Sequence, residues 1–240
     1  MDKSKIEHYG DELYNALITR TAVAPLTDRE ADITIEDAYQ IQQRMIQRRL
    51  DAGETIIGKK IGVTSKVVMD MLKVSQPDFG MMTSGMVFNE GESIDTSTMI
   101  APRAEAEVAF VLKSDLMGPG VTAADVLRAT DFVVPCFEIV DSRIQDWKIK
   151  IQDTVADNAS CGVLTLGGLR KSPRDLDLAL AGMVLEKNGE IISTSCGASV
   201  QGSPVNAVAW LANTLGRLGI GLKAGDIILS GSQSPLVPVV

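Results

Sequence analysis

The pattern of apolar residues changes abruptly near Gly58, and this change constrains the fold more strongly than any other feature of the chain. Before it, residues 4 to about 22 and 35 to 52 have the spacing of helices. After it, short apolar runs alternate with Gly, Pro, Asp and Ser, which is typical of β-strands joined by turns. The sequence therefore predicts an α+β protein, with a helical N-terminal part at residues 1–55 and a β-rich body at residues 56–240 that form one continuous unit.

The β-rich body is predicted to contain strands interrupted by three short helices. Asn188-Gly189 lies between two apolar runs and is a strong hairpin signal. One helix is expected to begin near Ser65, a second to follow Thr122, where Asp125 completes a capping pattern, and a third to start with Ser203 as its cap. The regular strand–helix alternation of a doubly wound sheet is missing. The expected strands cover residues 56–62, 86–88, 105–112, 132–140, 162–166, 182–187, 190–195 and 227–230.

The amino-acid composition limits the classes of binding partner expected for this chain. A chain of 240 residues with 45% hydrophobic content can bury a substantial core. Its net charge of −8 argues against nucleic acid, because neutralising phosphates requires clustered Lys and Arg. The chain has no long uncharged apolar run, and its charged, amphipathic start does not resemble a signal peptide. We therefore expect a cytoplasmic protein with no membrane partner.

The shortage of histidine restricts the chemistry. The single histidine, His8, lies near the N-terminus in a helical stretch, which argues against a Ser-His-Asp triad or a multi-histidine metal site. Cys136, Cys161 and Cys196 are far apart and form no CxxC pair, which predicts small apolar core residues instead of a disulfide framework or a zinc site. Acid–base chemistry must then come from carboxylates, lysine, tyrosine or bound water.

Three glutamates form the first candidate site. In the stretch "APRAEAEVAF", Glu105 and Glu107 are two residues apart, so on a strand their side chains share one face. Taken alone, this spacing also fits a solvent-exposed strand face. Glu138, however, lies inside the apolar run "DFVVPCFEIV", where an unpaired carboxylate costs several kcal/mol. A hard divalent cation, Mg²⁺ or Mn²⁺, would neutralise all three.

The stretch "IIGKKIGVTSK" is the second candidate. Its adjacent lysines, Lys59 and Lys60, point to opposite faces of a strand, so one can be solvated while the other faces inward. An inward lysine suits an anionic substrate or a developing enolate. Two surface lysines at a strand end remain an equally good interpretation of these residues alone. By default, "VSQPDFG" is a Pro-Asp turn and "DTVADNASCG" a polar loop.

Long motifs along the chain resemble a known family. They are "GKKIGVTSK", "QPDFG", "RAEAEVAFVL", "CFEIVDSRIQDWKIKIQDTVADNAS" and "GSPVNAVAWLANTL". Together they resemble the hydratase/decarboxylase family within the fumarylacetoacetate hydrolase superfamily, over nearly the whole chain from the first helix onward. The resemblance implies a mixed β-sheet body rolled into a barrel-like β-sandwich (fumarylacetoacetase C-terminal-like), which would be the catalytic part. It also implies metal ligation by Glu105, Glu107 and Glu138.

The resemblance also implies roles for the remaining site residues. The lysine of the family's G-x-K-x-G-x-T-S pattern falls on Lys60, and the hydratase branch would use Asp78 with it in catalysis. Asp157 and Ser160 would bind substrate. The implied reaction is the metal-dependent addition of water to 2-hydroxypenta-2,4-dienoate during meta-cleavage of aromatic compounds; a hexadienoate, longer by about a methyl group, remains open because such a difference is worth only about 1–3 kcal/mol.

Other functions stay open on the sequence. The sister enzyme 4-oxalocrotonate decarboxylase shares the implied metal site but has an apolar residue where this chain has Asp78, which favours the hydratase. A non-catalytic partner of that decarboxylase is a further alternative, whereas a carbon–carbon hydrolase would need a histidine base, and His8 is badly placed. The resemblance implies a homo-oligomer built on pentameric rings and an association with the decarboxylase. Members of the family usually continue beyond "LVPV" with a further strand, whereas this sequence stops at Val240.

Overall fold

A computed structural model describes residues 1–239. The helices are α1 (Lys3–Thr19), α2 (Leu26–Arg29), α3 (Ile35–Asp51), α4 (Lys66–Leu72), α5 (Ala123–Ala129), α6 (Ile151–Ala156) and α7 (Pro204–Arg217). The strands are β1 (Ile56–Gly62), β2 (Asp78–Thr83), β3 (Val87–Asn89), β4 (Arg103–Leu112), β5 (Thr130–Val140), β6 (Cys161–Leu166), β7 (Gly182–Lys187), β8 (Glu190–Cys196), β9 (Ile227–Leu229) and β10 (Val237–Pro238).

A single mixed sheet forms the body of the protein. Its strand order is β2-β1-β9-β4-β5-β6-β3, and β10 pairs with the start of β4, while β7 and β8 form a separate hairpin. The sheet is strongly curled, because Lys60 on β1 contacts Glu138 on β5 although β9 and β4 lie between these strands. The predicted α+β class, with a rolled mixed sheet behind N-terminal helices, is confirmed.

Both faces of β4 are covered, which decides between the two interpretations of its glutamates. Phe110 and Leu112 pack into the cluster beneath α7, together with Leu211 of that helix. Ala109 packs on the opposite face with Leu229 in a second cluster. The two glutamates lie on the same face as Ala109, because side chains alternate along a strand. The solvent-exposed strand face is therefore wrong for this sheet.

The N-terminal helices pack against the β-rich body. Leu13 of α1 and Ile41 of α3 share a hydrophobic cluster with Ile144, Val155 and Ala156 from the other part of the chain. Helix α3 begins with a capping box, in which Thr34 and Asp37 hydrogen-bond reciprocally. The division at residue 55 stays a prediction. Within residues 1–239, no helix is both long and apolar enough to cross a membrane.

Two local predictions are wrong. Residues 78–83 form strand β2, which begins at Asp78, where the local sequence predicts a Pro-Asp turn. The apolar part of "DFGMMT" pairs with β1, and this tertiary pairing overrides the local turn signal. Residues 151–156 form helix α6, which opens the segment predicted to be a polar loop. Ser203 precedes α7 as expected, but its side chain makes no capping hydrogen bond.

Most other expected elements are present within one to three residues of their predicted ends. Asn188 and Gly189 both have positive φ, as a type I′ hairpin turn requires. Cys136 and Cys161 are buried in the core as predicted, whereas Cys196 is only half-buried.

Lys59 and Lys60 are both buried, so the prediction that one of them is solvated is wrong. Lys59 is 5% exposed, and its Nζ lies 2.6 Å from Oδ2 of Asp226. Asp226 directly precedes β9, which pairs in parallel with β1, and it also accepts a hydrogen bond from the backbone N–H of Lys223. The ion pair therefore ties β1 to β9 on the face opposite Lys60.

Breaking this ion pair from one side should destabilise the protein strongly. In Asp226→Asn, the ammonium of Lys59 stays buried without its counter-charge, and we expect the free energy of unfolding to fall by roughly 3 kcal/mol. Urea denaturation of the parent and the variant measures the change. The double variant Lys59→Met/Asp226→Asn should lose less than the sum of the two single losses, because neither buried charge remains.

Lys223→Met is the control for this prediction. It breaks the exposed ion pair between Lys223 and Asp115, whose side chains are 64% and 56% exposed, and should cost less than about 1 kcal/mol. If Asp226→Asn and Lys223→Met lowered the free energy of unfolding equally, the buried ion pair would contribute no more to stability than the exposed one.

Candidate metal centre and active-site cavity

The pairing of β4 with β5 brings the three predicted glutamates together. In this antiparallel register Glu105 lies opposite Glu138, and Glu107 lies opposite Cys136, so all four side chains share the enclosed face. One carboxylate oxygen from each glutamate lies within 4.8 Å of the other two. Glu107 is 4% exposed and Glu138 is fully buried. The sequence predicted this convergence from spacing and from the apolar surroundings of Glu138.

The oxygens of this cluster are short of hydrogen-bond donors. Oε2 of Glu107 accepts a 2.7 Å hydrogen bond from the backbone N–H of Gly231. Its Oε1 and both carboxylate oxygens of Glu138 are buried without a hydrogen-bond partner among the described residues. Three converging carboxylates, of which Glu107 and Glu138 carry unpartnered oxygens, match the ligand preference of a hard divalent cation. Glu105, Glu107 and Glu138 would hold such an ion.

Burial and mutual repulsion make these carboxylates hard to ionise. Burial, with a further contribution from Glu138, raises the pKa of Glu105 to about 7, although Lys60 opposes the shift. The pKa of Glu107 is raised well above its ordinary value by burial and by the charges of Glu138 and Glu105. Burial also raises the pKa of Glu138. A bound cation would reverse these shifts by favouring the charged forms.

Lys60 supplies the positive charge nearest to the cluster. Its Nζ lies 3.4 Å from Oε2 of Glu138 and donates a 2.9 Å hydrogen bond to the carbonyl of Ala159. Burial alone would lower its pKa, but the surrounding charges of Glu138, Glu105 and Asp78 raise it, so the side chain stays protonated. The side chain of Lys60 therefore faces inward, and its catalytic role stays a prediction.

Asp78 lies next to Lys60 at the start of β2. It pairs with Gly62 of β1, where an added Cβ would lie 2.3 Å from Oδ1 of Asp78, so the second glycine of the G-x-K-x-G motif makes room for this carboxylate. Asp78 is 2% exposed, and neither of its oxygens has a hydrogen-bond partner among residues 1–239. Burial raises the pKa of Asp78, although Lys60 opposes the shift.

The segment after α6 reaches the site through a strained backbone. Asn158, Ala159 and Ser160 are three consecutive non-glycine residues with positive φ, a costly conformation that surrounding contacts must stabilise. The side chain of Asn158 provides such contacts, because it accepts from the backbone N–H of Met81 and donates to its carbonyl, each at 2.8 Å. This arrangement directs the carbonyl of Ala159 to Lys60 and places Ser160 in the wall of the cavity.

Asp157 is placed differently from the other predicted site residues. Its carboxylate pairs with Arg143, which is fully buried and also donates to the carbonyls of Asp157, Asp141 and Cys161. Asp157 does not line the cavity. The pair Arg143–Asp157 instead supports the strained segment, because Arg143 also hydrogen-bonds to the backbone carbonyl of Asp157 directly before it. The sequence gives no sign of this role for Arg143, because no local pattern marks a fully buried arginine.

A cavity of about 540 Å³ opens in front of the cluster. Its volume is in the range of small-molecule sites. Polar groups converge on one side of it, namely Lys60, Asp78, Glu105 and Ser160. Apolar side chains of α4 and the C-terminal segment form another side, namely Val68, Met71, Leu72 and Leu236. The cavity therefore joins a charged end, next to the glutamate cluster, to an apolar wall.

Comparisons with known proteins match this arrangement. Residues 59–236 match the family model described as fumarylacetoacetate (FAA) hydrolase C-terminal. The chain is 64% identical over 221 residues to a protein of Pseudomonas putida named 2-hydroxypent-2,4-dienoate hydratase, which covers 92% of this chain and 100% of the relative. It is 58% identical to the 2-hydroxyhexa-2,4-dienoate hydratase of Comamonas testosteroni, over 99% of this chain and 90% of the relative.

A solved structure resembles the whole chain. It is the 4-oxalocrotonate decarboxylase from Pseudomonas putida G7, complexed with magnesium and adipate. The two structures align with a TM-score of 0.97 at 34% sequence identity, over 100% of this chain and 91% of the other. The rolled sheet and the N-terminal helices are thus common to both proteins.

A divalent cation should stabilise the folded protein through the glutamate cluster. At a concentration 100-fold above its Kd, Mg²⁺ or Mn²⁺ should add about 2.7 kcal/mol to the free energy of unfolding, which raises Tm by several degrees. In Glu107→Gln this rise should be lost, while the metal-free variant should be at least as stable as the metal-free parent, because one of three repelling buried charges is gone. Thermal denaturation with and without a chelator measures both effects.

Glu186→Gln is the matched control, because Glu186 is exposed on strand β7. Metal should raise the Tm of this variant as much as that of the parent. A Glu107→Gln variant that gained as much stability from Mn²⁺ as the parent would place the ion elsewhere.

The metal-free protein should lose stability as the pH rises from about 4.5 to about 7. The pKa of Glu105 is raised from its ordinary value of 4.5 to about 7 in the fold, so between these values the folded chain binds more protons than the unfolded chain. Its stability contribution is therefore complete below the unfolded pKa and is lost as the pH passes through the folded one. Urea denaturation at several pH values in chelator measures the slope.

The slope should be smaller in Glu105→Gln and in the metal-saturated parent. A metal-free parent whose stability rose steadily across this pH window would contradict the assignment.

Proposed function

The chain belongs to the fumarylacetoacetate hydrolase C-terminal family, and on that premise we propose that it hydrates 2-hydroxypenta-2,4-dienoate to 4-hydroxy-2-oxopentanoate in the meta-cleavage degradation of aromatic compounds. One observation carries the proposal: Glu105 converges with the buried, partly unpartnered carboxylates of Glu107 and Glu138, and it lines the same cavity as Lys60 and Asp78. The hydratase names of the relatives from Pseudomonas putida and Comamonas testosteroni support the reaction class.

The glutamate cluster defines the end of the cavity where the substrate's carboxylate and C2 oxygen bind. When bound by Glu105, Glu107 and Glu138, a divalent cation supplies Lewis acidity toward these oxygens. The magnesium complex of the similar decarboxylase supports a hard cation, and Mg²⁺ or Mn²⁺ is proposed here.

Lys60 stabilises the charge that develops on the C2 oxygen. Its protonated amine is held by Glu138 and by the carbonyl of Ala159, so it is oriented before the substrate binds. Loss of the enol proton to solvent leaves negative charge spread over the C2 oxygen, C3 and the terminal carbon C5. A fixed ammonium in a buried site favours that charge more than water does, because no solvent has to reorganise.

Asp78 serves the far end of the substrate. Since burial raises the pKa of Asp78, its carboxyl group can carry a proton and donate it to C5, which converts the dienol into an α,β-unsaturated ketone. The resulting carboxylate can then accept a proton from water as the water oxygen bonds to C4. A proton taken up at C3 from solvent balances the enol proton released to solvent, so the net change is the addition of one water molecule.

The strained segment after α6 has a supporting role in this scheme. Ser160 lines the cavity and is proposed to position the substrate with its hydroxyl group. For Asp157 the family resemblance implies substrate binding, but its pairing with Arg143 favours a positioning role, in which it holds the backbone of Ala159 and Ser160 in place. The apolar wall of α4 accommodates a pentadienoate or a hexadienoate.

Two alternatives remain for the same cavity. The decarboxylase reaction is favoured by the TM-score of 0.97 to 4-oxalocrotonate decarboxylase. It is disfavoured by Asp78, because the family resemblance implies an apolar residue at this position in the decarboxylase. A non-catalytic partner of that decarboxylase is disfavoured by the cluster itself, since a purely structural protein gains nothing from keeping three repelling carboxylates buried.

The proposal extends to assembly and location. Exposed apolar side chains on the β7–β8 hairpin, Val184, Ile191 and Ile192, support a homo-oligomer, for which pentameric rings are proposed. An association with 4-oxalocrotonate decarboxylase and a cytoplasmic location are proposed as well.

The purified protein should consume 2-hydroxypenta-2,4-dienoate in the presence of Mg²⁺ or Mn²⁺. The ultraviolet absorbance of the dienoate should fall, and 4-hydroxy-2-oxopentanoate should appear in equal amount. A chelator should abolish the reaction, and added metal should restore it. Parallel assays with the hexadienoate compare the two chain lengths, and 4-oxalocrotonate should release no CO₂.

Asp78→Leu should lower kcat by about 10²-fold or more, because general acid–base catalysis contributes on this order. Its metal-dependent rise in Tm should be unchanged, which separates lost catalysis from lost folding.

Release of CO₂ from 4-oxalocrotonate without hydration of the dienoate would assign the protein to the decarboxylase reaction. Absence of both reactions, together with tight binding to the decarboxylase, would favour the non-catalytic partner.

A further inference from the structure

Arg103 continues the row of charged side chains on β4. It lies two residues before Glu105 and four before Glu107, so all three side chains leave the same face of the strand. Like Glu105, Arg103 lines the cavity in front of the glutamate cluster. Side-chain exposure increases along this row toward Arg103: Glu107 is buried, whereas Glu105 and Arg103 are half-buried.

An aromatic ring holds the guanidinium of Arg103. Its Cζ lies 4.6 Å from the ring centroid of Trp147, and the indole N–H of Trp147 donates a 3.1 Å hydrogen bond to the carbonyl of Ala101. A cation stacked in this way keeps its planar N–H donors free at the edge. The side chain of Arg103 donates no hydrogen bond and forms no ion pair within residues 1–239, so its donors remain available.

The two cations in the wall of the cavity are used differently. Lys60 already forms an ion pair with Glu138 and a hydrogen bond to the carbonyl of Ala159. Arg103 forms no ion pair with the neighbouring carboxylate of Glu105, even though both line the same cavity. A half-buried guanidinium with free donors, facing a cavity that accepts an organic acid, matches the geometry of bidentate carboxylate recognition.

We propose that Arg103, positioned by Trp147, binds the carboxylate of the substrate and makes the site selective for anionic 2-oxo acids over neutral analogues. This proposal rests on the proposed function, because it concerns the substrate of the same cavity. Binding the acid end at Arg103 and the glutamate cluster, both on β4, leaves the hydrocarbon end for Asp78 and α4. Arg103 thereby determines which end of the substrate reaches Asp78.

The test measures binding, so it does not require turnover. The probes are 2-oxopentanoate, which has no alkene to hydrate, and its neutral amide, 2-oxopentanamide. Calorimetry with the Mg²⁺-loaded protein gives the Kd of each. In Arg103→Met, binding of the acid should weaken about tenfold or more, whereas binding of the amide should change little. Arg103→Lys should recover only part of the loss, because it cannot form the bidentate contact.

Arg170→Met is the matched control. The guanidinium of Arg170 stacks over Phe132 at 4.7 Å, forms no side-chain hydrogen bond within the described residues and lies outside the cavity. Its removal should leave both Kd values unchanged. Trp147→Leu should weaken binding of the acid in the same direction as Arg103→Met, with the amide again little affected.

Equal weakening of acid and amide in Arg103→Met would overturn the proposal, as would unchanged binding of both. The proposed function can fail separately: if the parent binds the acid through Arg103 but does not hydrate the dienoate, carboxylate recognition stands and the reaction is wrong. If the dienoate is hydrated but Arg103→Met discriminates acid from amide as the parent does, the reaction stands and Arg103 has no such role.

Discussion

The repulsion among three carboxylates on one buried face is the constraint around which the rest of the structure is arranged. Glu105, Glu107 and Glu138 can converge only because β4 and β5 pair in a register that places two of them opposite each other. Burying such a cluster costs free energy unless positive charge is close. Lys60 provides one such charge from a strand on the far side of β9, which requires the sheet to curl.

The surroundings of Lys60 are built to make this convergence possible. Gly62 leaves space for the carboxylate of Asp78, and Gly80 leaves space for the backbone of Asn158, whose oxygen would lie 2.4 Å from an added Cβ. The buried pair of Arg143 and Asp157 braces the positive-φ segment from the other side. Local strain is thus stored next to the site and stabilised by contacts that have no direct part in the chemistry.

The sequence predicts the parts of the site that depend on local spacing. Alternation along a strand places Glu105 and Glu107 on one face, and an apolar run indicates that Glu138 is buried. Partners distant in the chain leave no such pattern. The ion pair of Lys59 with Asp226 is an example, because nothing within β1 indicates a carboxylate from the start of β9. Asp78 is another: its turn-forming neighbours conceal a strand that only the pairing with β1 stabilises.

The position of β9 has a consequence for how the protein is made. This three-residue strand lies between β1 and β4, so it joins the half of the sheet that carries Lys60 to the half that carries the glutamates. Ribosomes synthesise both halves long before they reach residue 227. Until then, β1 and β4 each present an unpaired edge, which is a template for wrong pairing between nascent chains. The active site therefore assembles late, and the interval before β9 emerges is when the chain is most exposed to aggregation.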